Sequence, residues 1–335
     1  MKIFYAIQGT GNGHISRAVE LYPHLKKYGE VDFFLSGSNA HLNTDLPIKY
    51  KSKGLSLFYK HTGGLDYNKI ASSLSLNIYK DAKSLPVNEY DLVVNDFEFV
   101  SSLACSIKKV PCIHFGHQAS FQSKNTPRPK GINPLGNMIL ENFVKSKQHI
   151  GLHFDAYDDH IYNPIIKEEI IAATPINDGH ITVYLPQYAI AVLEPHLLQQ
   201  SKFHFEVFTK EVTTIICNKN ITYYPINNRQ FTSSMIRCYG IITAGGFETP
   251  AEAMYMNKKV ISIPILRHFE QECNAAALEK KGVMVLKKMD KNFAFHFDEW
   301  VNYKQPVKLN LTHNTAEIVD ILINTANKNY LCTLF

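Results

Sequence analysis

The chain has 335 residues, 45% apolar and 19% charged, the balance of a globular protein long enough to form two domains around a shared cleft. A net charge of +5 is too mild for a nucleic-acid footprint, though it leaves room for peripheral contact with an anionic phospholipid surface. Six scattered cysteines without a CxxC, no basic and apolar leader, and no apolar run near the roughly 18 residues of a membrane span argue against a zinc site, secretion and a spanning helix, and for a reducing, cytoplasmic setting.

Lys2 to Gln8 (KIFYAIQ) reads as a strand ending in a glycine-rich turn, Gly9-Thr10-Gly11-Asn12-Gly13-His14. A helix follows, with Ile15, Ala18, Val19, Tyr22 and Leu25 on one face, Asn12 available as its cap and Gly29 just past its end. Val31 to Leu35 is the next strand, so the chain opens with a βαβ unit. The glycines of GTGNG fall at positions one, three and five, and the second strand ends in Ser36-Gly37-Ser38 instead of an acid. Both features argue against a dinucleotide site. His14 lies in the first helical turn, where the macrodipole keeps imidazole neutral, the form a general base requires; a polar helix-start histidine without chemistry is the alternative.

From Asp45 to Leu85 the pattern is weak, with a turn at His61-Thr62-Gly63-Gly64. Asp91 to Asn95 (DLVVN) is a buried strand that delivers Asp96 and Glu98 at its carboxyl end, the edge where an open α/β sheet binds ligands. A helix from Val100 to Lys108 and a strand from Pro111 to Phe115 lead to Gly116-His117-Gln118, so three strand ends bring His14, Asp96 and His117 toward one rim. Residues 120–150 begin as a basic, proline-rich loop and become an amphipathic helix with Met138, Ile139, Leu140, Phe143 and Val144. That stripe reads as core, with binding of a lipid or other amphiphilic acceptor as the second reading. His153 to Asn163 is rich in Asp and His but lacks ligand spacing, which reads as a linker and not a metal site.

The alternation then restarts. Strands at Ile181–Leu185, Phe203–Phe208, Ile221–Pro225 and Ile241–Thr243 flank helices at Gln187–Gln199 and Asn228–Arg237. The last of these strands runs into Ala244-Gly245-Gly246 and a helical pattern, so the N–H groups of Gly246 and Phe247 can close on an anion at a helix N-terminus. A strand from Val260 to Ile265 is followed by Arg267-His268-Phe269-Glu270-Gln271, whose adjacent acid and amide could read sugar hydroxyls. Val283 to Leu286 is one more strand, and Thr315 to Asn327 a helix that returns to the first domain. The expected class is α/β, with two Rossmann-like domains facing across a cleft: residues 1–155, a linker at 156–176, a second domain at 177–318 and a C-terminal helix and tail at 319–335.

With both glycine turns in place, nearly the whole chain resembles the GT-B glycosyltransferases, in particular the group containing the peptidoglycan N-acetylglucosaminyltransferase and the UDP-glucuronosyltransferase-like enzymes. Gly9-Thr10-Gly11-Asn12-Gly13-His14-Ile15-Ser16-Arg17 is similar to that group's GxGxGHxxR turn. More specific is the ordered set Gly245-Gly246-Phe247-Glu248-Thr249-Pro250-Ala251-Glu252-Ala253, Pro264, Glu270-Gln271, Asn274-Ala275 and Gly282. Two positions depart from the pattern: Ala244 stands where plant and animal relatives carry histidine, and Glu248 where several carry a neutral residue, so its carboxylate must point away from a diphosphate.

The resemblance implies a nucleotide-sugar donor, with UDP favoured, seated by Gly11, Gly13, Gly245, Gly246, Phe247 and Thr249. Glu252 would accept from the ribose hydroxyls, and Glu270 with Gln271 would hold the transferred sugar. Thr249-Pro250-Ala251-Glu252 is also a capping box, which would explain Glu252 without a ligand. The reaction implied is an inverting, metal-independent transfer to a hydroxyl acceptor, such as a lipid-linked or cell-envelope glycan, with His14 as base, Asp96 orienting it, and His117 and Gln118 on the acceptor side. An epimerase or hydrolase of the same donor, and a nucleotide-sugar-binding protein without chemistry, are the alternatives.

Overall fold

A computed structural model describes residues 1–9, 12–37, 45–54, 76–131 and 133–332. Gly11 and the His61–Gly64 turn lie outside the described residues. In the first half, strands β1 (Lys2–Gln8), β2 (Glu30–Ser36), β3 (Ile48–Ser52), β4 (Leu92–Asp96), β5 (Ile113–Gly116), β6 (Gln148–Leu152) and β7 (Ile161–Tyr162) form one parallel sheet in the order 3-2-1-4-5-6-7. Its helices are α1 (Asn12–Leu25), α2 (Leu76–Ser84), α3 (Phe99–Lys108) and α4 (Pro134–Asn142), and the short α5 (Glu168–Ile171) follows in the connection.

The second half repeats the plan. Strands β8 (Ile181–Tyr184), β9 (Phe205–Thr209), β10 (Ile216–Asn218), β11 (Ile221–Pro225), β12 (Gly240–Thr243), β13 (Lys259–Ser262) and β14 (Met284–Val285) are ordered 10-11-9-8-12-13-14. All pair in parallel except the edge hairpin of β10 with β11. The helices are α6 (Ile190–Leu198), α7 (Asn228–Arg237), α8 (Glu248–Tyr255), α9 (Phe269–Lys280), α10 (Phe293–Asn302) and α11 (Thr315–Cys332).

Each half therefore reverses its winding direction once among the central strands, between β1 and β4 in the first sheet and between β8 and β12 in the second. Such a reversal splays the loops at the carboxyl ends of the strands and opens a crevice there. This is the GT-B architecture.

The two halves share buried apolar surface. Ile15, Ala18 and Leu21 of α1 belong to one core cluster with Ile165, Ile166, Phe247, Met254 and, from α11, Ile318, Val319 and Leu322. The Tyr28 hydroxyl donates to the Asp320 carboxylate, a second tie between the start of the chain and α11. Phe269 and Cys273 of α9 are buried in the other core cluster of the first half, among Phe97, Phe121 and Leu140. Burying one phenylalanine side chain is worth about 1.5–3 kcal/mol, so this contact helps to hold the two halves together.

Three expectations are corrected. The stretch assigned as a linker, 156–176, contributes β7 to the first sheet and carries α5. β6 was hidden within the loop and helix of residues 120–150, because Gln-His-Ile-Gly-Leu is too short and too polar to stand out. Of the stripe read as core, Leu140 on α4 and Phe143 and Val144 just past its end are buried, while Met138 is exposed.

Candidate active site

The loops after β1 and β4 bring His14 and Asp96 together, although 82 residues separate them. His14 is the third residue of α1 and Asp96 the last of β4, on adjacent parallel strands, with the His14 Nδ1 2.8 Å from Asp96 Oδ1. With Nδ1 as the donor to this carboxylate, Nε2 keeps its lone pair; Arg17 Nη2, itself only a donor, lies 3.0 Å from the same Nδ1 and is directed at Asp96 Oδ1 instead, at 2.7 Å. Arg17, one turn along α1, grips the same carboxylate with a fork: Nε to Oδ2 at 3.0 Å and Nη2 to Oδ1 at 2.7 Å. The Tyr5 hydroxyl adds a donor to Oδ2 at 3.2 Å. Asp96 is wholly buried, and burial alone would raise its carboxyl, but Arg17 and His14 outweigh that and hold it well below the usual carboxylate range.

The third guanidinium nitrogen crosses to the second half. Arg17 Nη1 donates to Glu248 Oε1 at 2.6 Å, which turns the first carboxylate of α8 toward Arg17. Two glycines make room for this arrangement. A Cβ on Gly13 would lie 2.6 Å from Glu248 Oε2. At Gly116, where φ is +111°, a Cβ would lie 2.8 Å from Asp96 Oδ1 and 3.1 Å from Arg17 Nη2.

Across the cleft the Gly245-Gly246 turn joins β12 to α8. The two glycines have different roles. A Cβ on Gly245 would sit 2.8 Å from the Gln271 carbonyl and 2.9 Å from Pro264 Cβ, so this residue lets two strand-to-helix turns abut. A Cβ on Gly246 would meet nothing within 4 Å, so its backbone faces open space at the positive end of α8. Phe247 is the residue at the N-cap and is buried, with its ring stacked 4.0 Å from that of His117.

Thr249 is the second residue of α8 and half-buried, so the capping box with Thr249 as cap does not form. Glu252 is 2% exposed, and its oxygens lie 3.3 and 3.4 Å from Lys167 Nζ, a residue just before α5. Burial pushes the Glu252 carboxyl up to about 7 against the pull of Lys167.

His117 and Gln118, expected beside the acceptor, reach the second half. The His117 Nε2 is 2.7 Å from Asn274 Oδ1, and its Nδ1 is 3.1 Å from the Leu152 carbonyl. Burial lowers the His117 imidazole, opposed by Glu270 and Glu248. Gln118 Nε2 donates to Glu270 Oε1 at 3.1 Å. Gln271 has its Oε1 taken by the Ile265 N–H at 2.9 Å, which leaves its amide NH₂ as the group that can act outward. Asn274 Nδ2 donates to the Gly245 carbonyl at 3.0 Å and so braces the glycine turn.

The sequence pointed to Glu98 as a second carboxylate at the rim; it caps α3 instead, accepting from the Val100 and Ser101 N–H groups. Lys167 carried no signal, because a lone lysine at the end of an irregular connection resembles any surface lysine. Arg17 and Asn274 stood in the motifs without a role, since their partners lie in the other half. Among the described residues no group of three or more His, Cys, Asp or Glu side chains could hold a metal ion, and no helix is long and apolar enough to cross a membrane.

Two doubly wound sheets, with a histidine–aspartate pair on one rim and a glycine turn opening on a helix N-terminus on the other, define a sugar-transferase architecture. Residues 1–299 match the glycosyl transferase family 1 profile, and the chain belongs to that family. An uncharacterized glycosyltransferase of Methanosarcina mazei is 25% identical over 338 aligned positions, covering 84% of each chain. Among solved structures, Acinetobacter baumannii MurG superposes with a TM-score of 0.59 at 14% identity, covering 96% of this chain and 99% of its own. Phytolacca americana UGT2, solved with UDP-2-fluoro-glucose and pterostilbene, gives 0.58 at 13% identity and covers 98% of each chain. The protein is thus a glycosyltransferase enzyme with the GT-B fold.

Proposed function

We propose that the transfer is inverting and metal-independent, from a UDP-sugar to a hydroxyl acceptor. The observation that carries it is the 2.8 Å contact between His14 Nδ1 and Asp96, which supports Nε2 as the base when Nδ1 is the donor to the carboxylate. His14 Nε2 takes the acceptor's hydroxyl proton as that oxygen attacks the anomeric carbon, and the bond to the diphosphate breaks on the opposite face. Asp96 stays ionised and stabilises the imidazolium. Arg17 lies between Asp96 and Glu248, so the trio beside the His14 ring carries one net negative charge.

The leaving diphosphate is received by the Gly246 and Phe247 N–H groups and the dipole of α8, which offset its charge without a cation. Gly13 flanks this seat and Thr249 offers a hydroxyl. Glu252 meets the ribose by sharing its carboxylate between Lys167 and the diol. Glu270 and the Gln271 NH₂ hold the sugar. UDP is favoured because UGT2 was solved with a UDP-sugar. The hydroxyl acceptor includes lipid-linked or envelope glycans as one class, for which the exposed Lys124 and Lys130 of the segment before α4 offer contact with an anionic membrane surface.

A calorimetric or thermal-shift screen of UDP, GDP and dTDP and their sugars tests the donor: UDP stabilises by mass action, and silence from all of them sinks the reading. The anomeric configuration of the product, read by NMR, tests inversion, and activity in excess chelator tests independence from metal.

A further inference from the structure

Gln118 makes a contact that its expected place beside the acceptor does not account for. Its side chain leaves the first half, its Nε2 donates to Glu270, and its Oε1 is buried without a hydrogen-bond partner. The orientation of this amide is fixed by chemistry. Glu270 Oε1 accepts only, so the nitrogen must face it and the oxygen must be the orphan. The residue is 4% exposed, and an unsatisfied buried carbonyl costs about 1–3 kcal/mol.

The surroundings show what could satisfy it. Glu270 and Gln271 open α9, and the Gln271 backbone touches Gly245, next to the open face of Gly246. His117, the neighbour of Gln118, stacks on Phe247 of the same turn. Gln118 therefore reaches, from the opposite half, the corner beside the Gly245-Gly246 turn, where the donor reading puts the group beyond the diphosphate.

We infer that Gln118 is a specificity-determining residue for the donor sugar, its Oε1 accepting from a sugar hydroxyl or amide N–H. This rests on the donor reading above and deepens it. Two acceptors, Gln118 Oε1 and Glu270, then face the same part of the sugar, so the group read there is a donor and a carboxylate is rejected at that position. The sugar is held by both halves, and selection among sugars depends on the cleft being closed.

The test is calorimetry of wild type and Gln118→Met with UDP, UDP-glucose, UDP-galactose, UDP-N-acetylglucosamine and the monodeoxy analogues of UDP-glucose. In wild type, removal of one particular hydroxyl weakens binding by about tenfold, the worth of one buried hydrogen bond. In Gln118→Met that hydroxyl no longer matters, sugar-nucleotide affinity falls by a similar factor, and UDP affinity stays within twofold. Gln118→Asn, which keeps an amide but is too short to span to Glu270, shows the same pattern and guards against a folding defect in the methionine variant. Equal weakening of UDP and all UDP-sugars would reduce Gln118 to a tie between the halves and overturn the inference, as would no change in either. Failure of wild type to bind UDP or any UDP-sugar would instead remove the donor reading on which the inference stands.

Discussion

Arg17 and Glu248 form an ion pair of 2.6 Å between residues 231 positions apart, one on α1, the helix of His14, and the other at the start of α8, the helix that follows the Gly245-Gly246 turn. Glu248 would otherwise present a carboxylate to an incoming anion. The arginine turns it aside, and Glu248→Gln removes one negative charge from beside the proposed diphosphate seat while Arg17 stays paired with Asp96. UDP binding to this variant tightens by about three- to fivefold at low ionic strength, from roughly 1 kcal/mol of charge interaction, and the gain shrinks as salt is added. Calorimetry at two salt concentrations reads this directly; weaker binding would show that Glu248 contacts the donor productively.

Arg17→Ala leaves two carboxylates facing a buried gap. Unfolding free energy falls by about 3–5 kcal/mol, the cost of breaking a buried ion pair, as measured by urea titration. Arg17→Lys restores part of the stability but little of the activity, because one ammonium cannot reproduce the fork on Asp96.

His14→Ala lowers the transfer rate by about 10²–10⁴ with UDP affinity unchanged. Asp96→Asn loses a similar factor, but it also leaves Arg17 underpaired and so unfolds earlier. An aspartate held low in the folded state contributes its stability above its unfolded value of about 3.9, and loses it only as pH falls through the folded value. Since Asp96 is held well below the usual range it does not itself titrate between pH 6 and pH 8, so in a His14→Ala background, where the neighbouring imidazole is absent, Asp96→Asn costs the same stability at both pH values. A difference that vanished at pH 6 would place the Asp96 ionisation inside that window and contradict the network.

Gly246→Ala and Gly245→Ala separate ligand seat from scaffold. The first adds a methyl group into open space, so thermal stability holds while UDP affinity drops by about tenfold from the lost close approach. The second drives a Cβ into the Gln271 carbonyl and Pro264, so stability falls first, by about 1–3 kcal/mol. Gly116→Ala combines a left-handed φ with collision against Asp96 and lowers both stability and rate.

Glu252 provides a pH signature. Its carboxyl is pushed up to about 7, so it is largely protonated at pH 6 and largely ionised at pH 8. If the proposed ribose contact uses the ionised form, UDP affinity falls as pH drops through that value, and Glu252→Gln flattens the profile. The same shift makes the wild-type residue withdraw stability as pH rises from about 4.3 toward about 7, because the folded state then binds more protons than the unfolded one. A pH-independent wild-type affinity would place Glu252 outside the donor site.

Much of this was legible from residues alone. The alternation of short apolar runs with helical patterns defined two α/β halves, and the turns at Gly13 and at Gly245-Gly246 marked the places where a strand hands its end to a helix. Those are local facts, written in period and in glycine. The residues His14, Asp96, Glu270 and Gln271 could be picked because strand ends in such sheets converge on one edge. The sequence could not say what faces what. Whether Glu252 meets a cap or Lys167, whether Gln118 belongs to the acceptor or reaches Glu270, and where Glu248 turns depend on how two separately built sheets close on each other. Periodicity records that a side chain is buried or exposed, not which side chain from the other half stands opposite, and contacts across hundreds of residues leave no local pattern. The tertiary structure decided them by packing α9 into the first half's core and fitting Arg17 between two carboxylates.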